Sequence, residues 1–202
     1  MPDNNSNKII GVILCGGKSS RMGSDKGLLF AENQRWFERS FDLLSKIFSR
    51  VVISINPNQY SIYKGIQSNS DYVVDSVNFV EGPLVGIFSV HEKYPNSDLF
   101  VLACDMISMI ELVVRNLVSI YSAHPEKDFY FFQNGKFLET LCGIYTANGL
   151  KELDRKLRAN ETKNFAIHKL VSGCNSLIIQ IPEESKNSFA NFNTREEVDS
   201  EL

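Results

Sequence analysis

The 202-residue chain lacks the features that mark a membrane or secreted protein. No apolar run reaches the roughly 18 residues a membrane-crossing helix needs. Met1 to Lys8 are polar and hold no apolar core of signal-peptide length. The expectation is a cytoplasmic protein with no membrane partner. A basic excess is also missing: the formal net charge is −3. Binding to a nucleic-acid backbone usually shows as a basic surplus, so no nucleic-acid partner is expected, although a local basic pocket remains allowed.

Ligand-type residues are few and scattered. The four cysteines, Cys15, Cys104, Cys142 and Cys174, include no CxxC pair. This spacing argues against a disulfide framework and against a zinc site, so all four are read as reduced thiols that ligate no metal. His91, His124 and His168 show no HExxH-type spacing and are read as surface or incidental residues. Two nucleotide motifs are missing as well. A Walker loop needs GxxxxGK[ST], but Gly17 and Gly23 are separated by five residues and Ser24 follows. No GxGxxG is present. A GTPase-like switch and a dinucleotide-binding fold are therefore disfavoured.

What is present is an ordinary globular composition, 43% hydrophobic and 22% charged, in a length that suits one domain over residues 1–202. Short apolar, β-branched runs at 8–14, 50–55, 72–74 and 98–103 read as buried strands. Helical spacing is expected over 34–48, from Gly82-Pro83 to about Tyr94, and over 111–121. The alternation predicts an α/β fold with a parallel sheet and right-handed crossovers. Strands at 129–132 and 137–145 flank Asn134-Gly135, a hairpin signal, so the mostly parallel sheet should carry an antiparallel element. Helices are expected at 150–157 and 165–170, a late strand at 177–181, and a final helix from Thr194, with Thr194 as N-cap and Glu197 at the capping-box position.

Ligands of open α/β sheets bind beyond the carboxyl ends of the strands. Three candidate groups fall there. After the first strand, Gly16 and Gly17 let the backbone approach phosphates and form an anion nest, and Arg21 and Lys26 add cations. Asp105, after a fully apolar strand, suits Mg²⁺, which prefers one or two carboxylates plus substrate phosphates. Asp75 ends another strand. For both aspartates the alternative is a helix N-cap. Gly82-Pro83-Leu84-Val85-Gly86 is a tight turn and helix start, or lets that helix approach a ligand. Asn191-Phe192-Asn193-Thr194 reads as a turn with an N-cap, or as two amides reaching toward a substrate phosphate.

Taken together, these residues resemble a known family. LCGGKSSRMGSDKGLL (14–29) is similar to the LAGGxSxRMGxDKxLL loop of the molybdenum cofactor guanylyltransferases, the MobA family. Asp75, GPLVGI (82–87), CDM (104–106) and NFNTREE (191–197) continue the resemblance in order. It implies a Rossmann-like, three-layer nucleotidyltransferase fold. It implies transfer of GMP from GTP to molybdopterin with release of pyrophosphate, with Mg²⁺ as cofactor and with other cofactor-biosynthesis or molybdoenzyme-maturation proteins as partners. By matching position, Leu14, Cys15 and Gly16 contact the guanine nucleotide and Lys26 its phosphates. Asp75 contacts the nucleotide, Asp105 the nucleotide and Mg²⁺, and Asn191 and Asn193 lie on the molybdopterin side. Lys26, Arg21 and Asp105 carry the chemistry by neutralising charge. The chain departs from the family pattern at Cys15, where alanine is common, at Met106-Ile107-Ser108, where a proline is usual, and at Thr140, another usual proline.

The competing readings are a CTP-dependent molybdopterin cytidylyltransferase or a sugar-phosphate nucleotidyltransferase. From another class comes a non-catalytic nucleotide-binding or adaptor protein on the same scaffold. The presence of Lys26, Asp75 and Asp105 together argues against that last reading.

Overall fold

The computed structural model describes residues 9–16, 25–159, 165–190 and 192. Four parallel strands form one half of the central sheet: β1 (Ile9–Leu14), β4 (Val51–Ile55), β5 (Asp71–Val74) and β6 (Asp98–Ala103). The other half holds β7 (Phe129–Asn134), β8 (Phe137–Tyr145) and β9 (Ser176–Gln180). The order across the sheet is β5-β4-β1-β6-β8-β7-β9. Only β8 runs against the rest, antiparallel to both β6 and β7, while β9 is parallel to β7. The mostly parallel sheet with one antiparallel element is thus as expected. A two-stranded hairpin, β2 (Phe30–Ala31) with β3 (Gln34–Arg35), stands apart from it.

Helices cover both faces. Side chains alternate along β1, so Ile9 and Ile13 face one layer and Ile10, Val12 and Leu14 the other. The first layer packs α1 (Trp36–Ser45), α2 (Tyr60–Ile66) and α4 (Glu111–Ala123) through Phe37, Leu44, Tyr63, Val114 and Leu117. The second packs α3 (Pro83–Lys93), α5 (Ala147–Arg158) and α6 (Ile167–Val171) through Leu84, Phe88, Leu150, Leu157 and Val171. The result is three layers, helix–sheet–helix. Among the described residues, no helix is long and apolar enough to cross a membrane.

Several local expectations shift. Gln34-Arg35 joins the small hairpin, so α1 begins at Trp36. In the long hairpin the turn residues are Gly135 and Lys136, one position later than Asn134-Gly135, and Gly135 takes φ +58°. Helix α2 and two 3₁₀ segments, Lys26–Leu28 and Glu183–Phe189, were not expected from the sequence. The helix expected from Thr194 lies outside the described residues.

Candidate active site

The carboxyl edge of β1, β4, β5 and β6 gathers the expected groups. Asp75 follows directly on β5, and its N–H donates to Ile55 O at 2.8 Å. Ser54 Oγ at the end of β4 donates to Asp75 Oδ1 at 3.2 Å. Gly16 closes the other side: a β-carbon there would stand 2.6 Å from Asp75 Oδ2, so the loop after β1 reaches the carboxylate only because this residue is glycine. The N–H groups of Cys15 and Gly16 both donate to Ser54 O, at 2.9 and 3.1 Å. From above, α3 comes down on the same corner, where a β-carbon at Gly86 would meet Ser54 Oγ at 2.4 Å and Asp75 Oδ1 at 3.5 Å. Burial lifts the Asp75 carboxyl to about 6, against the opposing pull of the Ser54 hydrogen bond.

The second cluster lies one strand along. Lys26 Nζ meets Asp105 Oδ2 at 3.0 Å, with side chains 26% and 21% exposed, so the pair is held by the fold yet reachable from outside. Neither aspartate is a helix cap. The residue before α4 is Ile110 and the one before α3 is Gly82, which settles that alternative for Asp105 and Asp75. The stretch after Asp105, which lacks the proline usual in the family, is anchored by other means. Met106, Ile107 and Met109 are buried, Arg39 Nε donates to Ile107 O at 2.8 Å, and Phe192 N donates to Asp105 O at 3.3 Å. Phe192 is itself buried against Ala31, Trp36 and Ile107. Phe192 is thereby brought to the Asp105 turn.

A polar latch that sequence reasoning missed joins these parts. Gln59 Nε2 donates both to Cys15 O, at 3.0 Å, and to Asp25 Oδ2, at 2.6 Å. Tyr63 Oη donates to Asp25 Oδ1 at 2.9 Å, and Gly27 N donates to the same oxygen at 3.1 Å. Asp25 caps the turn that carries Lys26. Gln59 and Tyr63, from the start of α2, therefore tie the lysine's turn to the backbone at the end of β1. Burial drives the Tyr63 hydroxyl pKa far above its ordinary range, so it stays a donor.

Cys15 lies at the end of β1 with its side chain buried. Burial first, and then neighbouring Cys104, push its thiol well above the usual range. It is therefore not a thiolate nucleophile. Leu14 is buried beside it, and its carbonyl accepts from Cys104 N at 3.2 Å. Gly17, Arg21, Asn191 and Asn193 lie outside the described residues. Among the described residues, no group of three or more histidine, cysteine or carboxylate side chains is placed to hold a metal. A metal here would need ligands from a bound phosphate chain as well as Asp105, which suits Mg²⁺.

A family model for the MobA-like NTP transferase domain matches residues 11–172. The chain belongs to that family. The molybdenum cofactor guanylyltransferase of Campylobacter jejuni strain RM1221 is 28% identical over 200 residues, covering 95% of this chain and 94% of that protein. A probable molybdenum cofactor guanylyltransferase of a Geobacillus species is 26% identical over 195 residues, covering 96% and 97%. Among solved structures, molybdopterin-guanine dinucleotide biosynthesis protein A of Archaeoglobus fulgidus superposes with a TM-score of 0.76 at 17% identity, over 95% of each chain. The fold is also that of 4-diphosphocytidyl-2C-methyl-D-erythritol synthase of Anaerococcus prevotii, with a TM-score of 0.70 at 13% identity, over 96% of this chain and 94% of that one. The MobA-like chain thus has the nucleotidyltransferase architecture expected from its ordered motifs.

Proposed function

We propose that this protein transfers GMP from GTP to the terminal phosphate of molybdopterin, releasing pyrophosphate and forming the guanine dinucleotide cofactor. The observation that carries this reading is the meeting of Lys26 and Asp105, 79 residues apart, beside the Gly16–Asp75 corner. Its support from the comparisons is a family whose members bear that activity in their names.

An oxygen of the acceptor phosphate attacks the α-phosphorus of GTP. The new P–O bond forms as the bond to the β-phosphate bridging oxygen breaks, and pyrophosphate leaves with the electron pair. No covalent enzyme intermediate is required. Lys26 neutralises charge growing on the leaving group, and Arg21, the second cation of the loop, shares that task. Asp105 is the residue that would hold Mg²⁺, and the ion would supply charge neutralisation at the phosphates. Contact with the nucleotide is assigned to Leu14, Cys15, Gly16 and Gly17, and contact with molybdopterin to Asn191 and Asn193.

Asp75 favours GTP over CTP. A carboxylate accepts two parallel hydrogen bonds, and guanine offers adjacent N1–H and 2-amino donors on its pairing edge. Cytosine offers only its 4-amino group there. The test is turnover of molybdopterin with GTP and with CTP side by side, using α-labelled nucleotides. GMP should pass to molybdopterin and none should remain on protein. Faster transfer from CTP, or label bound to the chain, overturns the reading.

A further inference from the structure

Burial raises two carboxylates among the described residues, Asp75 and Glu139. The first is part of the nucleotide corner. The second has been assigned nothing. Glu139 lies on β8, which is only partly paired with β6: the ladder runs from Leu99↔Tyr145 to Leu102↔Cys142 and stops. Pairing with β7 breaks there as well, jumping from Phe131↔Gly143 to Phe132↔Glu139. Residues 140–142 are bulged out opposite a single step of β7. Bulges of this kind re-aim side chains beside active sites. Tyr145 Oη pins the bulge by donating to Thr140 O at 2.7 Å. Beyond it, the β7–β8 hairpin overhangs the carboxyl edge of the sheet, and Glu139 stands at its base.

The face is also defined. Cross-strand partners share a sheet face, so Glu139 lies on the side of Phe132. Phe132 packs edge-on against Phe189, ring centroids 5.1 Å apart, and the chain from Phe189 leads within three residues to Phe192 on the Asp105 turn. Glu139 therefore lies on the face of the sheet that carries Phe189. Its side chain is half-buried, and burial alone raises it: no hydrogen bond and no neighbouring charge contributes. A carboxylate in such a setting is costly without a donor.

Across the edge, the order is Asp75 after β5, Gly16 and Lys26 after β1, Asp105 after β6, then Glu139 on β8. With strands about 4.8 Å apart, β5 and β8 are separated by about 19 Å. These two carboxylates flank the phosphate-handling pair. Guanine and pterin share one chemical edge, an N–H beside an exocyclic amino group on a 2-amino-4-oxo ring. A dinucleotide of the two presents that edge at both ends.

We propose that Glu139 reads the acceptor, its carboxylate accepting the paired N3–H and 2-amino hydrogen bonds of the pterin ring of molybdopterin. This rests on the GMP-transfer reading. It makes Glu139 the acceptor-side counterpart of Asp75, with the phosphates laid between them over Lys26 and Asp105.

The experiment is steady-state GMP transfer by the full chain with Glu139→Gln, which keeps the shape and puts a donor where an acceptor is required. The expected result is a KM for molybdopterin raised at least tenfold, with the KM for GTP within twofold of wild type. Glu139→Asp, which keeps the charge on a shorter arm, should recover part of the loss. GTP affinity by calorimetry reports that each variant is folded. An unchanged molybdopterin KM, an equal rise in both KM values, or identical behaviour of the Gln and Asp variants overturns the assignment. Failure of the wild-type chain to transfer GMP at all overturns the underlying reading instead.

Discussion

Lys26 Nζ and Asp105 Oδ2 meet at 3.0 Å, a contact that joins the loop after the first strand to the turn after the sixth. Each group holds the other at the sheet edge, and each remains partly exposed. Lys26→Ala should weaken GTP binding roughly ten- to a hundredfold, since hydrogen bonds to charged groups are worth about 1.5–3 kcal/mol. Calorimetry measures this, and unchanged affinity contradicts the role. Asp105→Asn should keep the fold by circular dichroism and lose Mg²⁺-dependent turnover by about a hundredfold or more. Near-normal turnover removes Asp105 as the metal ligand.

Asp75 gives a pH dependence. In the free protein its carboxyl is raised to about 6, and burial is the cause. The ionised form is the one that accepts from guanine. GTP affinity should therefore be full above pH 6 and fall as the pH drops through that value, approaching tenfold per unit. Asp75→Asn should bind weakly and lose this limb, and comparing the two profiles removes the titration of GTP itself. A wild-type profile parallel to that of the variant contradicts the assignment.

The latch supplies a separate test. Tyr63→Phe keeps the buried ring and deletes one donor to Asp25. The expected cost is about 1 kcal/mol of stability by thermal or urea unfolding, with a several-fold rise in the KM for GTP. A stability loss with no change in KM makes the latch structural only. In Gly27→Ala the new β-carbon would stand 2.2 Å from the Tyr63 hydroxyl oxygen, and 3.4 Å from the ring carbon that bears it. Combining the two substitutions should restore part of the stability lost in Gly27→Ala, because the hydroxyl is the obstacle.

Gly16→Ala addresses the nucleotide corner. The added methyl meets the Asp75 carboxylate at 2.6 Å and must displace it. GTP affinity should fall at least about tenfold, the equivalent of one displaced charge-assisted hydrogen bond, while the core strands beneath stay packed. Equal GTP titrations of the two proteins would argue against the contact of Gly16 with the bound nucleotide.

Much of this site was readable in the residues, for physical reasons. Strand β6 is Asp98 and five apolar residues, followed by a cysteine and an aspartate, and a fully buried strand admits little else. The placement of Lys26, Asp75 and Asp105 at one edge followed from strand–helix alternation alone. Helix α2 was not readable, because its seven residues bury only Tyr63 and show no apolar stripe. The small hairpin of β2 and β3 turns through Glu32 at φ 55°, a conformation that nothing in its sequence advertises. Gln59 and Tyr63 act over 34 and 38 residues through hydrogen bonds, which leave no periodicity. The bulge after Glu139 is a change of register, and strand alternation says nothing about register with a distant partner.

The central claim is nucleotidyl transfer to a molybdopterin phosphate. Its most direct measurement is pyrophosphate release by the full chain when GTP, Mg²⁺ and molybdopterin are supplied together and then withheld one at a time. The expected result is stoichiometric pyrophosphate and guanine dinucleotide only with all three present, lost on removing any one. Pyrophosphate release without molybdopterin, or none with the complete mixture, would contradict it.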